Sequence, residues 1–133
     1  MKKFHGKKQK GFSLLELMIA MFILVILISV ALPTYQYTVR HARETVLKEN
    51  LHQMRRAIDQ FTADKGKLPQ SIDELVEQKY LRDKPVDPMN DNSTEWDQIM
   101  GDDPNDPDGG QGMIDVKSLA EGEDSDGRPY KEY

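Results

Sequence analysis

Glu16 is the lone charged residue in a run, 12–32, that reads FSLLELMIAMFILVILISVAL. A carboxylate held in hydrocarbon costs on the order of 2.5–3.5 kcal/mol, so it demands a partner and marks a function. Gly11 and Phe12 stand just before it. A cut between them would free an α-amino group on Phe12, about one helical turn from the carboxylate. Within one chain, amine and carboxylate would partly neutralise each other. Between neighbouring chains the same pair would fix the axial stagger of packed helices, because each carboxylate needs the next amine at its own depth. Other chemistry is sparse. His5, His41 and His52 have no metal-ligand spacing, and with no cysteine there is no disulfide, thiol nucleophile or cysteine-based zinc site. Carboxylates abound, but no serine, histidine or lysine constellation accompanies them, and Ser118 has no nearby base in sequence.

Charge is unevenly divided. The formal net charge is −5, yet residues 1–11 carry five lysines (Lys2, Lys3, Lys7, Lys8, Lys10) and no acid. Without them the remainder stands near −10. From Gly101 onward ten acids face three bases, Lys117, Arg128 and Lys131. So acidic an end repels nucleic acid and anionic lipid and leaves divalent cations open as partners.

The elements that position these groups follow from periodicity. A secretory signal peptide has an apolar core of about 7–15 residues, whereas this run has the roughly 20 that a helix needs to span a bilayer. An uncut signal anchor is the other ordinary reading. Lysines before the run place the N-terminus in the cytoplasm and the remainder outside. Past Pro33 the helical pattern resumes: Leu47, Leu51, Met54, Ile58 and Phe61 form an amphipathic stripe, which Val39, Ala42 and Val46 extend toward the membrane. The spacing predicts one helix from about Phe12 to Lys65, with Pro33 inside it and Gly66 and Leu68-Pro69 ending it. Ser71-Ile72-Asp73-Glu74 fits a capping box opening a short second helix, with Ile72, Leu75, Val76, Tyr80 and Leu81 on its buried side. Residues 82–112 read as loop, tacked down by Trp96, Ile99 and Met89, with GDDPNDPDGGQG free of the core. That stretch lacks the oxygen spacing of an EF-hand. Residues 112–118 alternate as a strand, Asp126-Gly127 signals a turn, and Tyr130 is placed on a returning strand.

Gly11-Phe12-Ser13-Leu14-Leu15-Glu16, with lysines before it and an apolar run after it, resembles the prepilin peptidase site of type IV pilins and type II secretion pseudopilins. The resemblance implies cleavage between Gly11 and Phe12, N-methylation of Phe12, and a role for Glu16 in assembly. Further along, Leu68-Pro69, the helix from Ser71, Pro85-Val86-Asp87-Pro88 and Ile114-Asp115-Val116-Lys117-Ser118-Leu119 resemble the major pseudopilin. That family usually binds calcium in the loop after the strand, through a leucine carbonyl and aspartates. Leu119, Asp124 and Asp126 fall near those positions, with Glu121 a further candidate. The loop here is shorter, and the family's glycine- and aspartate-rich turn reads Ala120-Glu121-Gly122-Glu123. Two readings therefore stand for it, a calcium site or a solvated acidic turn.

The expected fold is α+β and type IV pilin-like: a long N-terminal helix, half membrane-spanning and half amphipathic, then a short helix, a long loop and a small antiparallel sheet. The expected divisions are a cleaved leader (1–11), a membrane and assembly helix (12–32) and a periplasmic domain (33–133). As the resemblance implies it, the chain is not an enzyme but an inner-membrane, single-pass subunit that polymerises with identical copies into a periplasmic filament. That filament drives secreted proteins through an outer-membrane channel. The implied partners are prepilin peptidase, minor pseudopilins and the inner-membrane assembly platform. A type IV pilin of surface fibres is the alternative, although many such pilins close a C-terminal loop with a cysteine pair. A membrane-anchored periplasmic enzyme is the remote one.

Overall fold

The computed structural model describes residues 1, 2, 6 and 8–133. Lys3, His5 and Lys7 of the basic segment lie outside the described residues. Helix α1 (Leu14–Lys65) continues through Pro33, as the resumed pattern predicts. The chain forms two compact units, Met1–Thr38 and Val39–Tyr133, dividing within α1 just past the proline.

In the first unit every described residue from Lys8 to Thr38 is exposed. The segment is long and apolar enough to cross a membrane. Two of its hydroxyls bond within the helix: Ser29 donates to the Val25 carbonyl at 2.7 Å and Thr34 to the Val30 carbonyl at 3.0 Å. Bonding one turn back leaves no side-chain polar group in need of water at those positions.

The second unit is built on the stripe. Leu47, Leu51, Met54, Ile58 and Phe61 are all buried, joined by Ala57. Upward of Leu47 Val39 is half-buried, but Ala42 and Val46 are exposed, and the buried position is Glu44. Positions 44, 47, 51, 54, 58 and 61 continue the alternation of three and four that keeps residues on one helical face. The face thus extends through a carboxylate, while Val46 points off it. Facing the stripe are Ile72, Leu75, Trp96, Met113, Val116, Ala120, Tyr130 and Tyr133.

Gly66 ends α1 in the left-handed region (φ 69°), its N–H returning to the Thr62 carbonyl at 3.0 Å. Beyond it Leu68-Pro69 is buried against the strand that holds Gly112 and Met113. A Cβ on Gly112 would lie 2.3 Å from the Leu68 Cβ, so only glycine lets the strand approach this closely. The Met113 N–H donates to the Pro69 carbonyl at 2.7 Å across the gap.

Helix α2 (Ile72–Glu77) opens on Ser71, whose Oγ accepts the Glu74 N–H at 3.2 Å. The reciprocal arm reaches one residue further than a capping box requires, with Glu74 Oε2 accepting from the Gln70 N–H. Ile72 and Leu75 are buried, and Tyr80 and Leu81 pack partly buried against the core.

The expected loop 82–112 contains a strand. Strand β1 (Asp97–Asp102) pairs antiparallel with β2 (Gln111–Lys117), with a bulge between Ile99 and Met100. Trp96 and Met89 do tack the preceding loop to the core, and the Trp96 indole N–H donates to the Pro85 carbonyl at 2.9 Å. The acidic hairpin connection is also tied down. Asp103 is buried and accepts the Leu68 N–H at 2.8 Å and the Asn105 N–H at 2.9 Å. Asp87, fully buried, accepts from the Ser118 hydroxyl and joins the 85–88 segment to the end of β2. Tyr130 does not enter the sheet: Tyr130–Glu132 forms one 3-10 turn, and the sheet has two strands among the described residues. The α+β architecture of long helix, short helix and small antiparallel sheet is present.

Candidate functional site

Two stretches carry the residues singled out by sequence, one in each unit. In the first, Gly11 and Phe12 precede the helix and Phe12 is almost fully exposed. Helix α1 starts two residues later than expected because Ser13 caps it. The Glu16 N–H donates to Ser13 Oγ at 3.2 Å, and the Ser13 N–H donates to Glu16 Oε2 at 3.2 Å. This reciprocal pair is a capping box. It keeps the carboxylate at the helix N-terminus, where the macrodipole favours negative charge. Among the described residues nothing lies within 4 Å of a Cβ placed on Gly11. The chain's own packing therefore sets no demand for glycine at that position.

In the second unit the acidic turn after β2 folds back on α1. Asp124 is buried and its carboxylate is heavily used. Oδ1 accepts the N–H groups of Asp126 and Arg128, both at 2.9 Å, and Oδ2 accepts the Tyr133 hydroxyl at 2.5 Å. That hydroxyl above all, then the Arg128 N–H, holds Asp124 down at about 2, below the ordinary 3.8. Burial, and then the bond to Asp124, push the Tyr133 phenol well above its ordinary value of 10.0. Lys48 and Arg128 lie over the Tyr133 ring, each 5.2 Å from its centre.

Glu44 receives the same turn from the helix side. Its Oε1 accepts the Tyr130 hydroxyl at 2.9 Å and its Oε2 the Ser125 hydroxyl at 3.0 Å, while Arg40 Nε lies 3.3 Å from Oε1. Arg40 also donates to the Glu123 carbonyl. Lower on α1, Arg55 bonds Asp115 at 2.8 Å, the Val116 carbonyl at 3.0 Å and the Tyr133 backbone oxygen at 2.7 Å. Sequence reasoning missed Arg40, Glu44, Arg55, Tyr130 and Tyr133. The available signal was Glu44 standing on the apolar stripe, three residues before Leu47.

The carboxylates among the candidate calcium ligands differ in exposure and in partners. Asp124 Oδ1 has both lone pairs engaged, and Oδ2 keeps one free. Glu121 and Asp126 are exposed, and Glu121 pairs with Lys131 at 3.5 Å. Among the described residues no group of three or more His, Cys, Asp and Glu side chains is placed to hold a metal ion.

Residues 6–32 match the family model of the prokaryotic N-terminal methylation motif. No curated protein and no solved structure matches the chain. The match takes in the end of the basic segment, the Gly11-Phe12 pair, Glu16 and the apolar run. It supports a type IV pilin-like class and points to a structural subunit. It suggests processing by prepilin peptidase and pilus-like polymerisation, and the long apolar helix suggests membrane anchoring.

Proposed function

We propose that this chain is a subunit of a type II secretion pseudopilus. It is cut between Gly11 and Phe12, N-methylated on Phe12, and polymerised through α1 into a periplasmic filament that moves folded proteins outward. The N-terminus starts in the cytoplasm and the Val39–Tyr133 unit lies in the periplasm. Prepilin peptidase, minor pseudopilins and the inner-membrane assembly platform are its partners.

The observation that carries this reading is Glu16, the one charge in an apolar segment whose side chains are all exposed. A helix apolar on every side must be covered by lipid or by other helices. In lipid the carboxylate is costly, and the capping box supplies it with one N–H. A filament supplies more, because the Phe12 amine of a neighbouring subunit is a cation at a matching depth. Gly11 supports the cut: a residue that no turn or contact within the chain requires as glycine is explained by a peptidase cleft that admits only bare backbone.

Glu16→Ala tests the reading. The variant is expected to insert and be cut normally but to leave subunits unassembled, as crosslinking in membranes would report. Normal filaments and normal secretion from that variant would rule the register role out. Cells making the wild-type chain at its native level are expected to lack long surface fibres, and fibres dependent on it at that level would favour a surface pilin.

A further inference from the structure

We infer that the 119–133 turn is closed by a latch made only of protein groups, in which the Tyr133 hydroxyl and the Asp124 carboxylate do the work a calcium ion would do. The inference concerns the Val39–Tyr133 unit alone and is independent of the filament reading.

An acidic turn faces a physical difficulty. Glu121, Glu123, Asp124 and Asp126 repel one another, and a compact turn needs something that neutralises or bonds them. A cation is one answer. Here each acid that enters the packed region has donors instead. Asp124 collects two backbone N–H groups and one phenol, which occupy three of its four lone-pair positions. The backbone does the rest: the Asp124 N–H donates to the Arg128 carbonyl at 2.9 Å, and Gly127 (φ 81°) makes the reversal.

The latch then fastens to α1 at successive turns. Arg40 takes the Glu123 carbonyl, Glu44 takes the Tyr130 and Ser125 hydroxyls, and Lys48 lies over the Tyr133 ring. Tyr130 and Tyr133 meet edge to face with ring centres 5.7 Å apart. Their two hydroxyls therefore serve the two buried carboxylates of this end of the unit, Glu44 and Asp124. The set is closed: among the described residues no buried side-chain nitrogen or oxygen lacks a hydrogen-bond partner. A fully satisfied buried network holds one arrangement of the chain without a metal.

Thermal unfolding of the full-length chain in detergent, followed by Trp96 fluorescence, separates the two ways of closing the turn. With calcium chloride or with a chelator the wild type is expected to unfold at the same temperature. Tyr133→Phe keeps the ring and removes the donor, and is expected to lower the midpoint by about 6–24 °C, the shift of a hydrogen bond to a charged group in a domain of this size. A calcium-dependent rise in the wild-type midpoint would overturn the inference without any variant. An unchanged midpoint for Tyr133→Phe would overturn it as well, leaving a solvated turn.

Discussion

The two halves of α1 share one backbone and differ in every other respect. Between Leu14 and Leu32 no side chain is buried, although nearly all are apolar. Between Glu44 and Phe61 seven residues are buried, all on one face. The apolar half is greasy all round and needs a surrounding that the chain itself does not provide. The striped half offers a band one domain wide and is given that domain by residues 68–133. Hydrophobicity alone is thus a poor guide to burial: the more apolar half is the exposed one. What decides is whether the chain supplies a complementary surface.

The contrast can be broken at either end. Phe61→Ala removes a ring that is 1% exposed and meets Tyr80 edge to face at 5.2 Å. It is expected to destabilise the Val39–Tyr133 unit by about 3–5 kcal/mol in chemical denaturation while leaving membrane association intact. Ile23→Asp is the mirror experiment. Near the centre of the apolar run it is expected to cost membrane insertion about 2.5–3.5 kcal/mol, read as the fraction of chains spanning, with no change in the unfolding of the other unit. A variant that moved both readouts would show that the halves are not energetically separate.

Glu44→Ala sharpens the contrast, because Glu44 is the polar member of the buried face. Stranding the Tyr130 and Ser125 hydroxyls is expected to cost about 1–3 kcal/mol, again by denaturation. The pH dependence is the smallest effect. Asp124 sits at about 2 when folded against 3.8 ordinarily, so the unfolded chain binds more protons between those values. Its contribution is present above pH 3.8 and is lost as pH falls through about 2. Tyr133 runs the other way: raised from 10.0, it contributes fully below that pH and loses its contribution as pH rises. Facing this pair are Arg128, Lys48 and Glu44, and Tyr133→Phe is expected to flatten both flanks of the stability–pH curve.

Much of this was legible because it is local. The stripe from Leu47 to Phe61, the Gly66 stop and the Ser71 cap each depend on residues within about four helical turns of one another. Strand β1 was not legible: Asp97-Gln98-Ile99-Met100-Gly101-Asp102 has turn-forming residues at both ends, and its stability comes from pairing with β2. Glu44 was hidden for the same reason, since a carboxylate reads as solvated until Tyr130, 86 residues away, is seen to donate to it. The calcium reading of the 119–133 turn rests on the family resemblance, and the partners of Asp124, which lie up to nine residues away in sequence, come into view only in the fold.

The central claim is the cut that separates the basic segment from the helix, and mass spectrometry of the N-terminus of the chain recovered from membranes tests it most directly. A chain beginning at Phe12 and bearing one added methyl group is the predicted result. A chain that still carries Met1–Gly11 would contradict the account and return residues 12–32 to a plain signal anchor.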